Sequence, residues 1–248
     1  MAGVVTAAAV AALVSPAITR GPSFHAYADQ RTWLGIPHAG DVLSNLPFVL
    51  AGVAGLARVR TVASLPSLVF VAIIGVGVGS GAYHVEPSDA ALAFDWAPIV
   101  LTLAFLAALV IRDRIDRAAG TVAAVLLSAI AVSTVAAWYL GGGTGAPPGD
   151  MRWYVVTQAT LVAIVAFGSL IPATTTAPAT LHRGWILAGV AGFLAARGLA
   201  AADRILLDAV GLSGHSLKHV ALGGAALCLV RGVPSRRGTR RPPRKGPS

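Results

Sequence analysis

The chain is too apolar to form an ordinary soluble domain. Hydrophobic residues make up 56% of its 248 residues and charged residues only 12%, whereas soluble domains carry about 25% charged residues. The formal net charge of +9 would suit a nucleic-acid-binding protein, but much of the excess lies between Arg231 and Lys245, after the last apolar stretch. A basic run beside a membrane span is typical of contact with anionic lipid headgroups. We therefore predict a membrane protein with lipid partners and no nucleic-acid partner. The sequence indicates no particular protein partner.

Apolar stretches long enough to cross a bilayer core of about 30 Å recur along the chain. We place them near residues 3–18, 40–58, 64–83, 90–111, 119–140, 153–172, 184–202 and 213–231. The first is short and rich in alanine, so it is either an extra membrane helix or the apolar part of a cleaved signal peptide, although no Lys or Arg precedes it. The predicted fold is all-α: a polytopic membrane helical bundle with a seven-helix core and one N-terminal hydrophobic helix.

This pattern divides the chain into three parts. Residues 1–20 form the N-terminal hydrophobic segment, residues 21–232 the seven-helix membrane domain, and residues 233–248 a basic, disordered cytoplasmic tail. Within the domain, the series Gly75, Gly77, Gly79 and Gly81 does not satisfy the dinucleotide-binding fingerprint and lies inside a span, where small residues permit close helix contact. We interpret the series as a packing feature.

The positively charged residues predict the orientation of the spans. If every stretch crosses the membrane, alternate linkers lie on the same side of it. One side then carries the basic tail and Arg58, Arg60, Arg112, Arg114, Arg117 and Arg183. The opposite side carries Arg20, Arg31, Arg152 and Arg204, mixed with Asp29, Glu86, Asp89, Asp150, Asp203 and Asp208. The positive-inside rule then puts the C-terminus in the cytoplasm.

Three histidines within the predicted spans indicate a metal site. With the single Cys228, a cysteine-rich site is excluded. His215 and His219 are four residues apart and project from the same helix face, a spacing that suits either two ligands of one metal or two histidines facing water at the interface. His84 ends a span that runs outward, whereas the pair begins a span that runs inward, so all three are expected at one membrane face. Three imidazoles with an open fourth position are a common catalytic zinc arrangement.

Two further polar residues are expected near this zinc ion. Ser80 lies one turn before His84, and Asp95 lies about two turns into the next helix if Ser88 or Asp89 is its N-cap. Asp95 is the candidate general base and Ser80 the candidate donor to a developing oxyanion. The alternatives are a surface carboxylate for Asp95 and a hydroxyl bonded to its own helix backbone for Ser80. We expect Lys218 to point away from the histidines and to reach the headgroups.

Three phrases of the sequence carry a family resemblance. They are Asp41-Val-Leu-Ser44-Asn45-Leu46, Gly79-Ser80-Gly-Ala-Tyr83-His84-Val-Glu-Pro87 and Gly214-His215-Ser-Leu-Lys218-His219. Together with Asp95 they resemble the bacterial members of the alkaline ceramidase family, within the superfamily of membrane zinc hydrolases that includes the adiponectin receptors. The similarity covers roughly residues 24–231.

The resemblance implies a function and a set of site residues. It implies seven core helices, zinc held by His84, His215 and His219, and catalysis assisted by Ser80 and Asp95. Animal ceramidases carry an acidic calcium-binding segment before the first core helix, whereas the corresponding part of this chain offers mainly His25, Asp29, His38 and Asp41, so calcium is not expected.

The expected activity is zinc-dependent hydrolysis of the N-acyl amide bond of a ceramide-like lipid, in a multi-pass protein of the bacterial inner membrane. The alternatives are hydrolysis of a lipid ester, or a receptor-like or structural protein in which zinc only ties helices together. Asp95 as a fourth ligand would give such a closed site.

Overall fold

A computed structural model describes residues 24–59, 64–141, 149–174 and 179–234, together with 10, 13–19, 21 and 61. Most of the predicted N-terminal segment and of the basic tail therefore lies outside the described residues. Within them the fold is an all-α bundle, as predicted. Its helices are α1 (Ala39–Leu43), α2 (Leu46–Arg58), α3 (Leu65–Val85), α4 (Asp89–Arg114), α5 (Arg117–Leu140), α6 (Arg152–Leu170), α7 (Arg183–Ala201), α8 (Asp203–Val210) and α9 (Gly214–Gly232).

Six helical segments of the described chain are long and apolar enough to cross a membrane. They are α1 and α2 taken together, α3, α4, α5, α6 and α7, and their bounds agree with the predicted spans to within a few residues. The last predicted span forms α9, which has 19 residues like α6 and α7. It falls outside the set of six because His215, Lys218 and His219 lie in its first two turns. The bundle is that of a multi-pass membrane protein.

The helices form a ring around an internal cavity. In the described chain, contacts run from α2 to α3, α4, α6, α7, α9 and back to α2, while α5 packs against the outside of α4 and α6. Few residues of α5 are buried, among them Ala131, Val135 and Trp138, which is expected of a helix whose other faces meet lipid.

Contacts at one end of the bundle join the linkers that are rich in arginine. The Arg58 guanidinium donates a hydrogen bond to the carbonyl oxygen of Val230 at 3.0 Å, and the Asp113 carboxylate accepts one from the Thr180 hydroxyl at 2.7 Å. The ends of α2, α4 and α9 therefore lie together with the start of α7. We call this the basic end, and the end that carries His84 the histidine end.

Two structural features at the histidine end are not indicated by any hydrophobic pattern in the sequence. The span predicted at residues 40–58 is broken at Ser44 and Asn45, between α1 and α2, and Pro47 lies in the first turn after the break. The segment of residues 24–38, which we call the strap, has an isolated backbone pairing between Trp33 and Ile36 and contacts the ends of α3, α4, α8 and α9. Neither the break nor the strap is predicted by span length.

The glycines of α3 allow close helix contact, as the sequence predicts. A methyl group on Gly77 would lie 2.7 Å from a side-chain carbon of Val49 on α2, and one on Gly79 would lie 2.7 Å from the carbonyl oxygen of Phe94 on α4. Real side-chain atoms do not approach so closely, so both positions require glycine in this packing. A methyl group on Gly81 would meet no described atom of another helix within 4 Å.

Candidate metal centre

The three predicted histidines converge at the histidine end of the bundle. His84 comes from the last turn of α3, and His215 and His219 come from the first two turns of α9. One ring nitrogen from each lies within 4.8 Å of the other two, and Nε2 of His84 is 3.2 Å from Nε2 of His215. His84 and His219 are almost completely buried. The three rings therefore form a compact group that can hold a metal ion.

The spacing of the three rings is compatible with one shared metal ion. Nε2 of His84 and Nε2 of His215 are 3.2 Å apart, and the three candidate ligand nitrogens lie within 4.8 Å of one another. Nδ1 of His84 and Oδ1 of Asp95 are buried and have no hydrogen-bond partner among the described residues.

A second layer of contacts orients His219. Its Nδ1 lies 2.9 Å from the Ser44 hydroxyl, and its Nε2 lies 3.5 Å from the Ser80 hydroxyl. The Ser44 hydroxyl donates its own hydrogen bond to the carbonyl oxygen of Asp41. In the tautomer with the proton on Nδ1, this nitrogen donates to Ser44 and leaves Nε2 for a metal. The break between α1 and α2 is what brings Ser44 to this ring.

The start of α9 is held by two carboxylates. Asp41 is fully buried, and its Oδ1 accepts hydrogen bonds from the hydroxyls of Ser213 at 3.1 Å and Ser216 at 2.6 Å. Ser213 is also the N-cap of α9, since its hydroxyl accepts from the backbone N–H of Ser216. Oδ1 of Asp203 accepts from the backbone N–H of His215 at 2.9 Å. These bonds fix the rotation of α9, and so the direction of its two histidines.

The structure places Asp95 and Ser80 beside the histidines. Ser88 is the N-cap of α4, with its hydroxyl accepting from the backbone N–H of Ala91, so Asp95 lies two turns into the helix as predicted. Asp95 and Ser80 are 7% and 3% exposed, and both line the internal cavity together with His215 and His219. A surface location for Asp95 is therefore wrong. The ion-binding group consists of the three histidines without Asp95.

No protein-family model, curated protein or solved structure matches this chain. The chemistry of the site is therefore inferred from its own residues and their geometry.

The position of Lys218 differs from the sequence expectation. Its ammonium nitrogen lies 3.0 Å from Nε2 of His215, and the side chain lines the internal cavity instead of reaching the headgroups. The helical spacing places Lys218 one turn after His215, close enough for its flexible side chain to curl back towards that ring. A cation in this position faces whatever molecule occupies the cavity.

The strap covers the metal group from the histidine end. The Tyr27 ring packs against His84 and His215, with centroid distances of 4.8 and 4.2 Å, and its hydroxyl donates to the Tyr83 hydroxyl at 2.9 Å. Burial and the neighbouring Tyr83 raise the pKa of Tyr27, so the ring stays neutral. Sequence reasoning missed Tyr27, because an aromatic residue in an irregular segment has no periodic signal.

Hydrogen bonds to the helix ends hold the strap in place. The backbone N–H of Ala28 donates to Asp203 at 3.1 Å, and Nδ1 of His38 is 2.8 Å from the carbonyl oxygen of His84. Asp29 forms an ion pair with Arg31 at 2.6 Å, and the hydrogen bonds from this arginine lower the pKa of Asp29. Arg31 also donates to the carbonyl oxygen of Gly211, just before α9.

A cavity of about 400 Å³ leads from the metal group into the helix ring. Its polar end is lined by Ser80, Asp95, His215, Lys218 and His219, and most of its remaining wall is apolar and comes from α4, α6, α7 and α9. Cavities of about 300–1,000 Å³ with a few convergent polar groups are typical of small-molecule sites.

Proposed function

We propose that the protein is a membrane-embedded, zinc-dependent amidase that hydrolyses the N-acyl bond of a ceramide-like lipid to a fatty acid and an amine. The observation that carries the proposal is the position of the three-histidine group, at the polar end of a largely apolar cavity and beside the buried Asp95 and Ser80. The motifs that resemble alkaline ceramidases point to the same reaction.

The three neutral imidazoles leave an open coordination position. A zinc ion held by His84, His215 and His219 would polarise the amide carbonyl and lower the pKa of a bound water. Asp95 is not part of the ion-binding group. Its carboxylate is therefore available as a base, which favours a catalytic centre over a closed structural one.

The chain's own residues supply the proton transfers. Asp95 accepts the proton of the attacking water as its oxygen bonds to the amide carbon, and returns that proton to the nitrogen when the carbon–nitrogen bond breaks. Ser80 donates a hydrogen bond to the carbonyl oxygen as this atom gains negative charge. Water and the amide are thereby converted into a carboxylic acid and an amine without any other reactant.

The cavity suits a substrate with an acyl chain. Val162, Val190 and Leu222 are among the apolar residues that line it beyond the polar groups, so an acyl chain can lie between the helices while the amide stays at the histidines. The positive-inside rule places this end at the outer membrane face, where water has access.

The decisive experiment is hydrolysis of defined lipids by the purified protein in detergent. A panel of N-acyl lipids and matched esters is incubated with the metal-free protein, with protein reloaded with zinc, and with protein plus a chelator. Zinc-dependent release of fatty acid from the amides supports the proposal. Release from the esters alone would identify a lipid esterase, and a zinc-containing protein that releases nothing would indicate a receptor-like or structural role.

A further inference from the structure

The cavity carries more positive charge than the proposed reaction uses. Among the described residues that line it, Asp95 is the single carboxylate, whereas Arg197 and Lys218 are both cationic side chains. A metal ion on the three neutral histidines would add two further positive charges at the same end. The wall next to the reaction centre is therefore strongly positive.

Arg197 has no partner among the described residues that would explain its place. It is an exposed side chain in the last turns of α7 that lines the cavity, and it forms neither a hydrogen bond nor an ion pair within the described part of the protein. An unpaired guanidinium on a cavity wall can bind an anion through two parallel hydrogen bonds.

Lys218 reinforces the same patch. Its side chain lines the same cavity, and its ammonium contacts the imidazole of His215 at 3.0 Å. Asp95, Asp41 and Asp203 attract this ammonium, and Arg197 repels it. Lys218 forms no ion pair with a carboxylate within the described residues. A further anion bound between Arg197 and Lys218 in this largely apolar cavity would stabilise both cations.

We propose that the amine part of the substrate carries an acidic group, a carboxylate or a phosphate, which Arg197 and Lys218 bind. This inference rests on the proposed amidase function and narrows its substrate to acidic N-acyl lipids. The acyl chain then lies in the apolar part of the cavity, the amide lies at the histidines, and the acidic group lies towards α7. Arginine suits this role because its guanidinium binds carboxylates and phosphates through two parallel hydrogen bonds.

The proposal can be tested by binding, without turnover. The probes are dodecanoyl lipids with a fluorescent label at the chain end: N-acyl glycine, N-acyl ethanolamine and N-acyl phosphoethanolamine. The first two differ only in a carboxylate against a hydroxymethyl group. Affinities are measured by fluorescence polarisation on zinc-loaded Asp95→Asn protein, and again after adding Arg197→Gln. The matched control is Arg183→Gln, the same change at the opposite end of the same helix.

We expect at least one acidic lipid to bind about 10- to 100-fold more tightly than the ethanolamide, in line with a charge-assisted hydrogen bond. Arg197→Gln should abolish most of this preference and Arg183→Gln should preserve it. Equal affinity for all three lipids, or a preference that survives Arg197→Gln, would overturn the proposal.

A fourth probe, labelled dodecanoic acid, distinguishes substrate recognition from capture of the released fatty acid. If Arg197→Gln weakens only dodecanoate binding, the arginine serves the product and the proposal is wrong. Hydrolysis of the same lipids by the wild-type protein is a separate measurement. Failure to hydrolyse any amide would refute the amidase function, whereas these binding ratios test the acidic subsite alone.

Discussion

The Ser44 hydroxyl lies 2.9 Å from Nδ1 of His219, on the opposite side of the ring from the nitrogen that faces Ser80. Since Ser44 fixes both the tautomer and the orientation of this ring, Ser44→Ala should leave the fold intact and weaken zinc affinity by about 10- to 100-fold. The zinc affinity of each variant is measured by competition with a fluorescent chelator. Ser133→Ala removes a hydroxyl that donates to a backbone carbonyl of α5 and should have no effect; equal losses in both variants would contradict the role of Ser44.

The metal assignment predicts about one zinc ion per chain. His84→Ala and the double change His215→Ala, His219→Ala should each abolish stoichiometric binding, because two or fewer imidazoles remain. Elemental analysis of the purified proteins measures the content. His182→Ala is the control, since this histidine lies at the start of α7, at the basic end. A double variant that folds and retains full zinc would remove the basis of the metal centre.

Asp95→Asn separates a general base from a structural ligand. The amide is nearly the same shape as the carboxylate but cannot accept the proton, so hydrolysis should fall about 10²- to 10⁴-fold while zinc content stays at the wild-type level. Asp208→Asn, an exposed change on α8, is the matched control. Unchanged hydrolysis in Asp95→Asn would defeat the mechanism. A loss of zinc and of thermal stability would instead make Asp95 a ligand.

The same substitution, glycine to alanine, should have opposite effects at two positions of α3. Gly79→Ala would place a methyl group 2.7 Å from the carbonyl oxygen of Phe94 and 3.3 Å from Cα of Asp95. It should therefore separate α3 from α4, cost about 1–3 kcal/mol and reduce hydrolysis by moving Asp95. Gly81→Ala would meet no described atom of another helix within 4 Å and should retain activity with a stability gain of up to about 1 kcal/mol. Thermal unfolding and activity in detergent test the pair.

The arrangement of arginines predicts that the tail 233–248 lies in the cytoplasm and the metal centre near the opposite face. A fluorescent reporter that matures only in the cytoplasm should fluoresce when fused after Ser248. The same reporter fused after Asp208, between α7 and α9, should stay dark, because that position lies at the histidine end. The reverse pattern would overturn the orientation, without affecting the zinc or amidase proposals.

The sequence was enough to predict the long helices, because a helix in lipid must be long and apolar. The span bounds, the packing role of Gly77 and Gly79, and the depth of Asp95 below its Ser88 N-cap all follow from local patterns. The convergence of His84 with His215 and His219 could also be predicted. It needs only the direction of each span, since the C-terminal end of an outward span and the N-terminal end of an inward span lie at the same membrane face.

Only the tertiary structure could establish the contacts around those histidines. Ser44 reaches His219 because the helix breaks beside it, between α1 and α2, and Tyr27 reaches His84 because the strap folds back over the bundle. Neither has a periodic signal, since both depend on contacts between residues far apart in the chain. The direction of Lys218 was wrong in the sequence reasoning for the same reason. Its spacing permits it to face either the headgroups or the cavity, and the packing of α7 against α9 determines which.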